Sequence, residues 1–371
     1  MYDEPNGLMS AEPNAERLTD PWMLGPLHVP NRVMLAPLAG IGNWFVRLQA
    51  KRYGAGMAVS EMVSSHAIHY RNEKTCNEML RIDPRERQSG PVSIQLFGDD
   101  PAIMHAAAAH VAAIGADAID INMGCPVAKV QKAGAGAALL ADPDRAVELA
   151  LAAVQGARDG ARGAVHGARD GARAGGRSVC GPPVTVKLRS GLRPGDESGF
   201  QLAHRLVEEA GVAAIAFHPR SASVQHKGRP DYELARRLVS SLPAPVILTG
   251  GLSDAQHVRD AFLHTRAAAV MLARGALGNP WLFAELLHGR EERPSTREVL
   301  DELDWTIDRA VEHLGEPRAT RYLRKFYPWY LARLDLQPTD ARRLGAELQS
   351  VATLAQARSA VAEAPLYCCA R

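Results

Sequence analysis

The sequence predicts a closed (β/α)8 TIM barrel followed by a small all-helical domain. Three observations support this prediction. Eight short apolar runs recur within residues 24–292, and stretches rich in Ala and Leu with helical spacing separate them. Such alternation is typical of parallel βαβ units, and the length suits a barrel of about 250 residues. No strand pattern follows Pro294.

The eight apolar runs define the strands in order. They are VMLAP at 33, MAVSEM at 57, VSIQLFG at 92, AIDINMGCP at 118, VTVKLRSG at 184, AAIAFHP at 213, PVILTGG at 245 and AAVMLARG at 268. Runs this short and apolar are expected for strands that are buried on both faces. A doubly wound open sheet is the structural alternative, but it would require a GxGxxG turn after an early strand, and none stands there.

The chain divides into three parts: an N-terminal extension over residues 1–23, the barrel over 24–292 and a helical domain over 295–371. The last part begins with Ser295 and Glu298, which resemble a capping box. Within the barrel, residues 156–181 repeat the unit GARDGAR. Their Gly content predicts a flexible insertion on the face opposite the carboxyl ends of the strands. A tolerated insertion is favoured there over a basic arm for RNA.

Composition narrows the class of protein. Hydrophobic residues make up 46% of the chain and aromatic residues 5%, which indicates a core of Ala, Val, Leu and Ile. The net charge of +2 neither requires nor excludes a nucleic-acid partner. Five cysteines without a CxxC pair indicate a reducing compartment, with neither a disulfide framework nor a zinc site. Because no membrane-length apolar run and no signal peptide is recognisable, we expect a cytoplasmic protein.

The carboxyl ends of the predicted strands carry polar, basic and glycine residues, and in a TIM barrel this face holds the active site. In strand order they are Ala36, Pro37 and Leu38; Gln95; Asn122 and Cys125; Lys187 and Arg189; His218 and Arg220; Thr249, Gly250 and Gly251; and Arg274 and Gly275. Glycines after the last two strands are typical of a phosphate site. A phosphorylated ring cofactor fits this set. FMN satisfies it, and so does pyridoxal phosphate with Lys187 as a Schiff-base lysine.

Several of these segments resemble the motifs of the tRNA-dihydrouridine synthases. The most specific is NMGCP at 122 followed by KAGAGAALL at 132. APLAG at 36, SIQLFG at 93, VTVKLRSG at 184, RGALGNPWLF at 274 and TRYLRKFYPWYL at 320 are similar as well. The resemblance covers nearly the whole barrel and extends into the tail. One departure lies at the seventh strand, where Thr249, Gly250 and Gly251 replace the Asn-Gly-Asp run of many relatives.

The resemblance implies an FMN-dependent enzyme that reduces one uridine of tRNA to dihydrouridine, with NADPH as the reductant. It implies that Ala36, Pro37 and Leu38 line the flavin, that Gln95, Lys187 and His218 contact it, and that Gly250, Gly251, Arg274 and Gly275 hold its phosphate. It further implies that Cys125 is the proton donor and that Asn122 contacts the substrate.

The reaction gives an independent reason for a cysteine. Hydride addition to C6 of uracil places negative charge on C5 and on the C4 carbonyl, and a proton must reach C5 from the face opposite the flavin. A thiol titrates near pH ~8.5 and is mostly protonated at pH 7, whereas a carboxylic acid near ~4 is mostly ionised. A Cys, Lys, Tyr or tuned His meets this requirement, and Cys125 is the candidate.

Basic residues are candidates for RNA contact, because a uridine must leave its stack to enter a barrel mouth and phosphates must then be bound elsewhere. The candidates are Arg318, Arg321, Arg324 and Lys325 in the tail, and Lys132 past the fourth strand. Arg318, Arg321 and Lys325 recur at i, i+3 and i+7, which predicts one basic helix face. Pro328 predicts a kink or break of that helix.

Two alternative functions stay open on the sequence alone. A flavin barrel that acts on a free pyrimidine, such as a dihydroorotate dehydrogenase, also carries an Asn-x-x-Cys-Pro run but usually lacks a basic helical tail. A non-catalytic tRNA-binding module is the second alternative, and the presence of Cys125 and Lys187 argues against it. We expect a monomer.

Overall fold

The barrel strands form a closed parallel sheet. The computed structural model describes residues 17–167, 181–289 and 293–368. Two short strands, β1 (Trp22–Leu24) and β2 (Leu27–Val29), precede the barrel. The barrel strands are β3 (Val33–Leu35), β4 (Met57–Ser64), β5 (Val92–Phe97), β6 (Ala118–Met123), β7 (Val184–Arg189), β8 (Ala214–His218), β9 (Val246–Thr249) and β10 (Ala269–Leu272). Because β10 pairs with β3, the sheet is closed, and the predicted TIM barrel is confirmed.

Helices surround the strands. They are α1 (Trp44–Arg52), α2 (Ser65–His69), α3 (Pro84–Gln88), α4 (Pro101–Ala113), α5 (Ala128–Lys132), α6 (Pro143–Gly167), α7 (Ser198–Glu208), α8 (Tyr232–Ser241), α9 (Ala255–Thr265) and α10 (Trp281–His288). Side-chain caps start several of them. Asp100, for example, accepts a hydrogen bond from the Ile103 N–H at 3.0 Å. Among the described residues, no helix combines the length and the apolar character that a membrane crossing requires.

The β1–β2 hairpin closes the amino-terminal end of the barrel. Trp22, Leu24 and Val29 are at most 7% exposed and pack on the inward side chains of the lower barrel. The barrel core therefore begins before Leu24, and the predicted N-terminal extension over 1–23 reaches too far into the chain. Residues 1–16 lie outside the described residues.

Two glycines let α6 approach α4 closely. A Cβ on Gly156 would lie 2.2 Å from the carbonyl oxygen of His105, and a Cβ on Gly160 would lie 2.1 Å from that of Ala109. The i, i+4 spacing places both glycines on the same face of α6. At these positions the two helices meet backbone to backbone, and no larger residue fits.

This packing corrects the prediction of a flexible insertion over residues 156–181. The prediction is wrong for its first part, because the chain stays helical to Gly167. Glycine in a helix interior costs about 0.5–1 kcal/mol relative to alanine, and the contact with α4 explains why glycine stands there. Residues 168–180 lie outside the described part of the chain.

The described part of the tail is helical, as predicted. Its helices are α11 (Thr296–Leu314), α12 (Glu316–Leu323), α13 (Tyr327–Leu331), α14 (Pro338–Ser350) and α15 (Leu354–Cys368). The predicted capping box at Ser295 and Glu298 is present. The break predicted at Pro328 is confirmed as well, because α12 ends at Leu323 and a new helix begins at Tyr327.

Helix α1 lies between the barrel and the tail and is almost wholly buried. Gln49 Nε2 lies within hydrogen-bonding distance of Glu302 Oε1 at 2.8 Å and of Tyr330 Oη at 2.7 Å, so a buried amide joins the helix to the tail. Arg47 on the same helix forms a fully buried ion pair with Glu86 at 2.7 Å. Buried polar groups of this kind are strongly directional, and they fix how the tail sits on α1.

Substitution of Gly160 tests the packing of α6 on α4. Gly160→Ala is expected to lower the free energy of unfolding by about 1–3 kcal/mol, because the added methyl group forces the two helices apart. Gly163→Ala is the matched control, since open space surrounds a Cβ there. It is expected to raise the free energy of unfolding by about 0.5–1 kcal/mol. Urea unfolding of both variants measures this, and equal effects would contradict the packing.

Candidate active site at the carboxyl ends of the strands

Polar side chains fill one side of the upper barrel interior. Successive side chains of a strand alternate between the two faces, and Ala118 and Ala214 face the interior core. By the same alternation the inward polar residues are Gln95 on β5, Asp120 and Asn122 on β6, Thr185 and Lys187 on β7, and His218 on β8. The sheet register pairs Gln95 with Asp120 and Asn122 with Lys187, so these side chains are neighbours.

The carboxylate of Asp120 is the centre of a buried hydrogen-bond network. Thr185 Oγ1 donates to Asp120 Oδ1 at 2.5 Å, and Gln95 Nε2 donates to Asp120 Oδ2 at 2.6 Å. Burial raises the pKa of Asp120 to about 6, while the two hydrogen bonds and the charge of Lys187 oppose the rise. At pH 7 the carboxyl is therefore mostly ionised and accepts from both neighbours.

The network continues from Gln95 to the loop that holds Cys125. Asn122 Nδ2 donates to Gln95 Oε1 at 2.9 Å. Asn122 Oδ1 in turn accepts from the backbone N–H groups of Gly124 at 3.2 Å and Cys125 at 2.9 Å. We call the side chains of Thr185, Asp120, Gln95 and Asn122 the polar chain. It brings the predicted Gln95, Asn122 and Cys125 together and ties the backbone at Cys125 to the barrel interior.

The glycine-rich segment after Cys125 returns directly onto the cysteine. The N–H of Ala137 donates to the carbonyl of Cys125 at 3.0 Å. Gly136 has a φ of +64°, and a Cβ there would lie 2.8 Å from the Cys125 carbonyl oxygen. Both observations require glycine at this position. Cys125 itself is part-buried and carries a free thiol.

Lys187 lies among these groups without a hydrogen-bonding partner in the described part of the chain. Burial, followed by the charge of Arg189, lowers the pKa of Lys187 to about 8, while Asp120 and Cys125 raise it. The residue is part-exposed, so a ligand that supplies an acceptor or a negative charge can reach the ammonium.

Arg189 stands beside this lysine and is held by backbone carbonyls. Its Nε donates to Gly124 at 2.9 Å, and a terminal nitrogen donates to Ser221 at 3.0 Å and Gln225 at 2.7 Å. Burial lowers the pKa of Arg189 to about 10. The guanidinium thus fastens the loop before Cys125 to the loop after β8.

His218 is buried in the same positive surroundings. Burial, followed by the charges of Lys187, Arg189 and Arg220, lowers the pKa of His218 well below its ordinary value, so its ring is neutral at pH 7. Arg274 is exposed on the adjacent loop. Within the described residues, Arg189, Arg220 and Arg274 form no ion pair with a carboxylate. Such an excess of positive charge favours an anion at this rim.

Three of the predicted glycines are fixed by close contacts. Gly250 and Gly251 have φ values of +98° and +82°, and a Cβ on Gly250 would lie 2.2 Å from the His218 ring. A Cβ on Gly275 would lie 2.6 Å from the Leu252 carbonyl oxygen. Packing alone therefore requires glycine at Gly250 and Gly275. All three glycines are part-exposed, so their backbone remains accessible to a ligand.

The predicted residues Ala36, Pro37 and Leu38 follow β3 into the first loop. The N–H of Ala36 donates to the Leu272 carbonyl at 2.7 Å, and the Leu38 carbonyl accepts from the Gly42 N–H at 2.7 Å. Ala36 and Leu38 are buried, and Pro37 is part-buried. They provide an apolar edge to the mouth of the barrel.

The prediction that Lys325 shares one basic helix face with Arg318 and Arg321 is wrong. Helix α12 ends at Leu323, so Lys325 lies in the turn before α13 rather than on the face of Arg318 and Arg321. Pro328 in the next helix explains the break, because its ring has no N–H and cannot continue a helix. Lys325 Nζ instead donates to the Gly40 carbonyl in the first barrel loop at 3.2 Å.

The other predicted cations differ in what they contact. Arg318 forms a bidentate ion pair with Glu78, with both distances at 2.7 Å. Arg324 donates to a backbone carbonyl of the tail at 3.1 Å. Arg321 on α12 and Lys132 at the end of α5 are exposed. Arg321 and Lys132 are thus the candidates most available to a partner.

Asp120 and Thr185 are site residues that the sequence analysis missed. A signal was present: Asp120 precedes Asn122 by two positions, and Thr185 precedes Lys187 by two, so both pairs share the inward face. The alternation of side chains along a strand shows only that these residues point into the barrel. The pairing of β5, β6 and β7 is needed to show that Thr185 and Gln95 reach the same carboxylate.

Fold and site together define a TIM-barrel protein with cations and part-exposed glycines at the carboxyl ends of its strands. A family model described as dihydrouridine synthase (Dus) matches residues 34–161 and 174–364. The chain therefore belongs to the dihydrouridine synthase family.

Individual relatives agree with this assignment. The chain is 32% identical over 347 residues to tRNA-dihydrouridine synthase B of Shewanella oneidensis, which covers 91% of this chain and 96% of that one. It is 34% identical over 314 residues to tRNA-dihydrouridine synthase B of Vibrio cholerae, with 83% and 88% covered. A solved complex of 2-naphthoyl-CoA reductase has a TM-score of 0.53 at 14% identity, with 75% of this chain and 53% of that one covered, and shares the fold.

The variant Lys187→Met tests whether the ammonium of Lys187 lacks a hydrogen-bonding partner in the folded protein. In ligand-free protein at pH 7, Lys187→Met is expected to raise the free energy of unfolding by about 1–3 kcal/mol. Its pKa is near 8 in the folded chain, below the ordinary ~10.4 of an unfolded lysine. The folded state therefore loses the proton first, and the gain should shrink as the pH rises through 8 toward 10. Thermal unfolding across this range measures it.

Lys51 is the matched control for this measurement. Burial also lowers its pKa to about 8, but its ammonium donates to the carbonyls of Glu86 at 2.9 Å and Gly90 at 2.5 Å. Lys51→Met is expected to destabilise the protein, because two acceptors lose their donor. A stabilising Lys51→Met, or a Lys187→Met gain that does not change with pH, would contradict the account.

Proposed function

We propose that this protein is an FMN-dependent tRNA-dihydrouridine synthase, which reduces the C5–C6 double bond of a uridine in tRNA with NADPH as the reductant. The observation that carries the proposal is the position of Cys125, whose thiol is free and whose backbone N–H is held by the polar chain, near Lys187, which has no hydrogen-bonding partner among the described residues. Membership of the dihydrouridine synthase family and the names of the curated relatives support it.

The residues present fit FMN. Among the residues that the structure describes, the ammonium of Lys187 has no acceptor, and Arg189, Arg220 and Arg274 have no carboxylate partner. Gln95, Lys187 and His218 would contact the ring system; Ala36, Pro37 and Leu38 would line it; and Gly250, Gly251, Arg274 and Gly275 would hold the phosphate. Pyridoxal phosphate would use the same cations, but the family assignment favours the flavin.

Cys125 would act as the acid. The chemistry that a bound FMN would supply is hydride transfer to C6 of the uracil ring, with NADPH as the source of the electrons. Negative charge then develops on C5 and on O4 of uracil, and the thiol of Cys125 donates the proton that C5 requires. Asn122 holds the backbone N–H of Cys125, so the backbone that carries the thiol has a fixed position.

Asn122 and Lys187 would both stabilise the negative charge that develops before this proton transfer. Each amide nitrogen carries two hydrogens, and Asn122 Nδ2 uses one of them on Gln95. The second can donate to O4 of uracil, next to the C5 atom that Cys125 protonates. Lys187 places a positive charge beside the ring, where it stabilises an anion at low cost of reorganisation.

The tail would hold the tRNA while one base enters the barrel. Tyr322 Oη donates to the Ile41 carbonyl at 3.2 Å, and Lys325 reaches Gly40, so α12 stands directly at the first barrel loop. Exposed cations next to the mouth suit phosphates that flank a base turned out of its stack. Lys132, Arg318, Arg321, Arg324 and Lys325 are the proposed contacts. This docked tail favours a polynucleotide over a free pyrimidine.

Cys125→Ala tests the assigned acid. The variant is expected to retain FMN and tRNA affinity while its reduced flavin is oxidised by unmodified tRNA about 10²–10⁴-fold more slowly. Cys76→Ala is the control, since Cys76 is also a free cysteine. Single-turnover absorbance at the flavin band measures the rate. An unchanged rate in Cys125→Ala removes the role of this thiol.

Arg321→Ala tests the tail as an RNA surface. Arg321 is exposed, so its loss is expected to weaken tRNA binding about three- to tenfold and to reduce the dependence of log Kd on log salt by about 1. Arg297→Ala removes the same charge from α11, where Arg297 pairs with Asp301, and should change neither quantity. Titration at several salt concentrations measures both. Equal losses in the two variants would argue against a specific surface.

A further inference from the structure

Two neighbouring loops, which follow β7 and β8, are joined into one surface. The N–H of Ala222 donates to the Gly191 carbonyl at 2.8 Å. The N–H of Ser223 donates to the Leu192 carbonyl at 3.0 Å. The loop after β7 therefore supports the loop after β8 along its backbone. Both loops lie at the carboxyl ends of the strands, on the face of the barrel that holds the candidate active site.

Buried guanidinium groups hold the loop after β8 from inside. Arg189 donates to the carbonyls of Ser221 and Gln225 at 3.0 and 2.7 Å. Arg220 donates to the Gly228 carbonyl at 2.7 Å. Gln225 has a φ of +54°, a left-handed backbone conformation that a residue other than glycine keeps only where its surroundings hold it. These contacts fix the backbone of the loop and the positions from which its side chains extend.

The carboxylates at the start of α7 are engaged by other groups of the protein. Asp196 accepts from the N–H groups of Leu192 and Ser198 at 2.6 and 2.8 Å. Glu197 accepts from both terminal nitrogens of Arg237 at 2.8 and 3.0 Å. Their negative charge is therefore compensated locally, and it does not pair with the exposed cations of the two loops.

Three cations extend from this surface into solvent. Arg193 follows β7, Lys227 and Arg229 follow β8, and all three are exposed. In the part of the chain that the structure describes, none of their side chains has a hydrogen bond or an ion pair. Asp231, the next carboxylate along the chain, accepts from the Leu234 N–H at the start of α8. We call Arg193, Lys227 and Arg229 the β7–β8 cations.

The β7–β8 cations lie across the mouth of the barrel from the tail. In the closed order of the strands, β7 is opposite β3 and β8 is opposite β4. The tail contacts the loop after β3 through Lys325 and Gly40. It contacts the segment after β4 through Arg318 and Glu78. A ligand that contacts the tail and the β7–β8 cations at once must therefore extend across the mouth.

We propose that the β7–β8 cations form a second tRNA-contact surface, so that phosphates of one tRNA are bound on both sides of the mouth while the base between them enters it. The inference rests on the proposed function for the identity of the partner. A polynucleotide fits this arrangement because its phosphates recur along a chain that can span the mouth. Exposed cations bind such phosphates favourably, since the counterions condensed on the nucleic acid are released.

The double variant Lys227→Gln/Arg229→Gln tests this surface in the flavin-loaded enzyme. It is expected to weaken binding of unmodified tRNA roughly ten- to hundredfold and to reduce the dependence of log Kd on log salt by about 2. FMN affinity, followed by flavin fluorescence, and the KM for NADPH should stay within about twofold. Unchanged tRNA affinity, or a loss of FMN or NADPH affinity in its place, overturns the proposal.

A second double variant controls for net charge. Arg236→Gln/Arg297→Gln removes the same charge from α8 and α11, where Arg236 lies 3.6 Å from Glu233 and Arg297 pairs with Asp301. It should change neither tRNA affinity nor its dependence on salt. Equal losses in the two double variants would show that only the net charge matters, and they would also overturn the proposal.

Combination with Arg321→Ala tests whether the two sides bind tRNA separately. The fold-losses of Lys227→Gln/Arg229→Gln and Arg321→Ala are expected to multiply, because residues on opposite sides of the mouth share no contact. No further loss in the combined variant contradicts a two-sided arrangement. A wild-type enzyme that shows these binding losses but reduces no uridine contradicts the proposed function alone. Uridine reduction by an enzyme whose tRNA affinity does not respond to the double variant contradicts this inference alone.

Discussion

A single buried carboxylate orders the interior of this barrel. Asp120 is 1% exposed and accepts from two side chains on the neighbouring strands. A buried charge persists only where its acceptors are satisfied and a compensating charge lies near. Thr185 and Gln95 meet the first condition and Lys187 the second. Between this carboxylate and the backbone N–H groups of Gly124 and Cys125, the amides of Gln95 and Asn122 have one orientation.

The tail depends on the same barrel through α1. That helix is buried on both sides, and its Gln49 amide meets polar groups of α11 and α13. The first loop of the barrel contacts the tail a second time, where Asn43 Nδ2 donates to Tyr322 Oη at 2.6 Å. The contacts of Gln49 and Asn43 hold the tail against α1 and the first barrel loop. Helix α12 of the tail carries Arg318 and Arg321.

The sequence predicted the parts of the structure that local pattern determines. Eight apolar runs sufficed for the barrel, and a Ser–Glu pair sufficed for the start of the tail helix. Gln95, Asn122 and Cys125 were found because each stands at a strand end. Asp120 and Thr185 were missed because their importance arises from pairing across three strands, which no single segment reveals. The glycines at 156 and 160 were misread for a similar reason, since only α4, which is distant in sequence, explains them.

We propose that a flavin bound at the cation-rich rim would reduce a uridine within tRNA and that the thiol of Cys125 would supply the proton. The most direct measurement incubates unmodified tRNA with the purified protein, FMN and NADPH, and then maps nucleoside masses along the chain by nuclease digestion and mass spectrometry. The account predicts a gain of two hydrogens, about two mass units, at a specific uridine, dependent on both added compounds. A protein that binds FMN and consumes NADPH while every uridine keeps its mass would contradict the account.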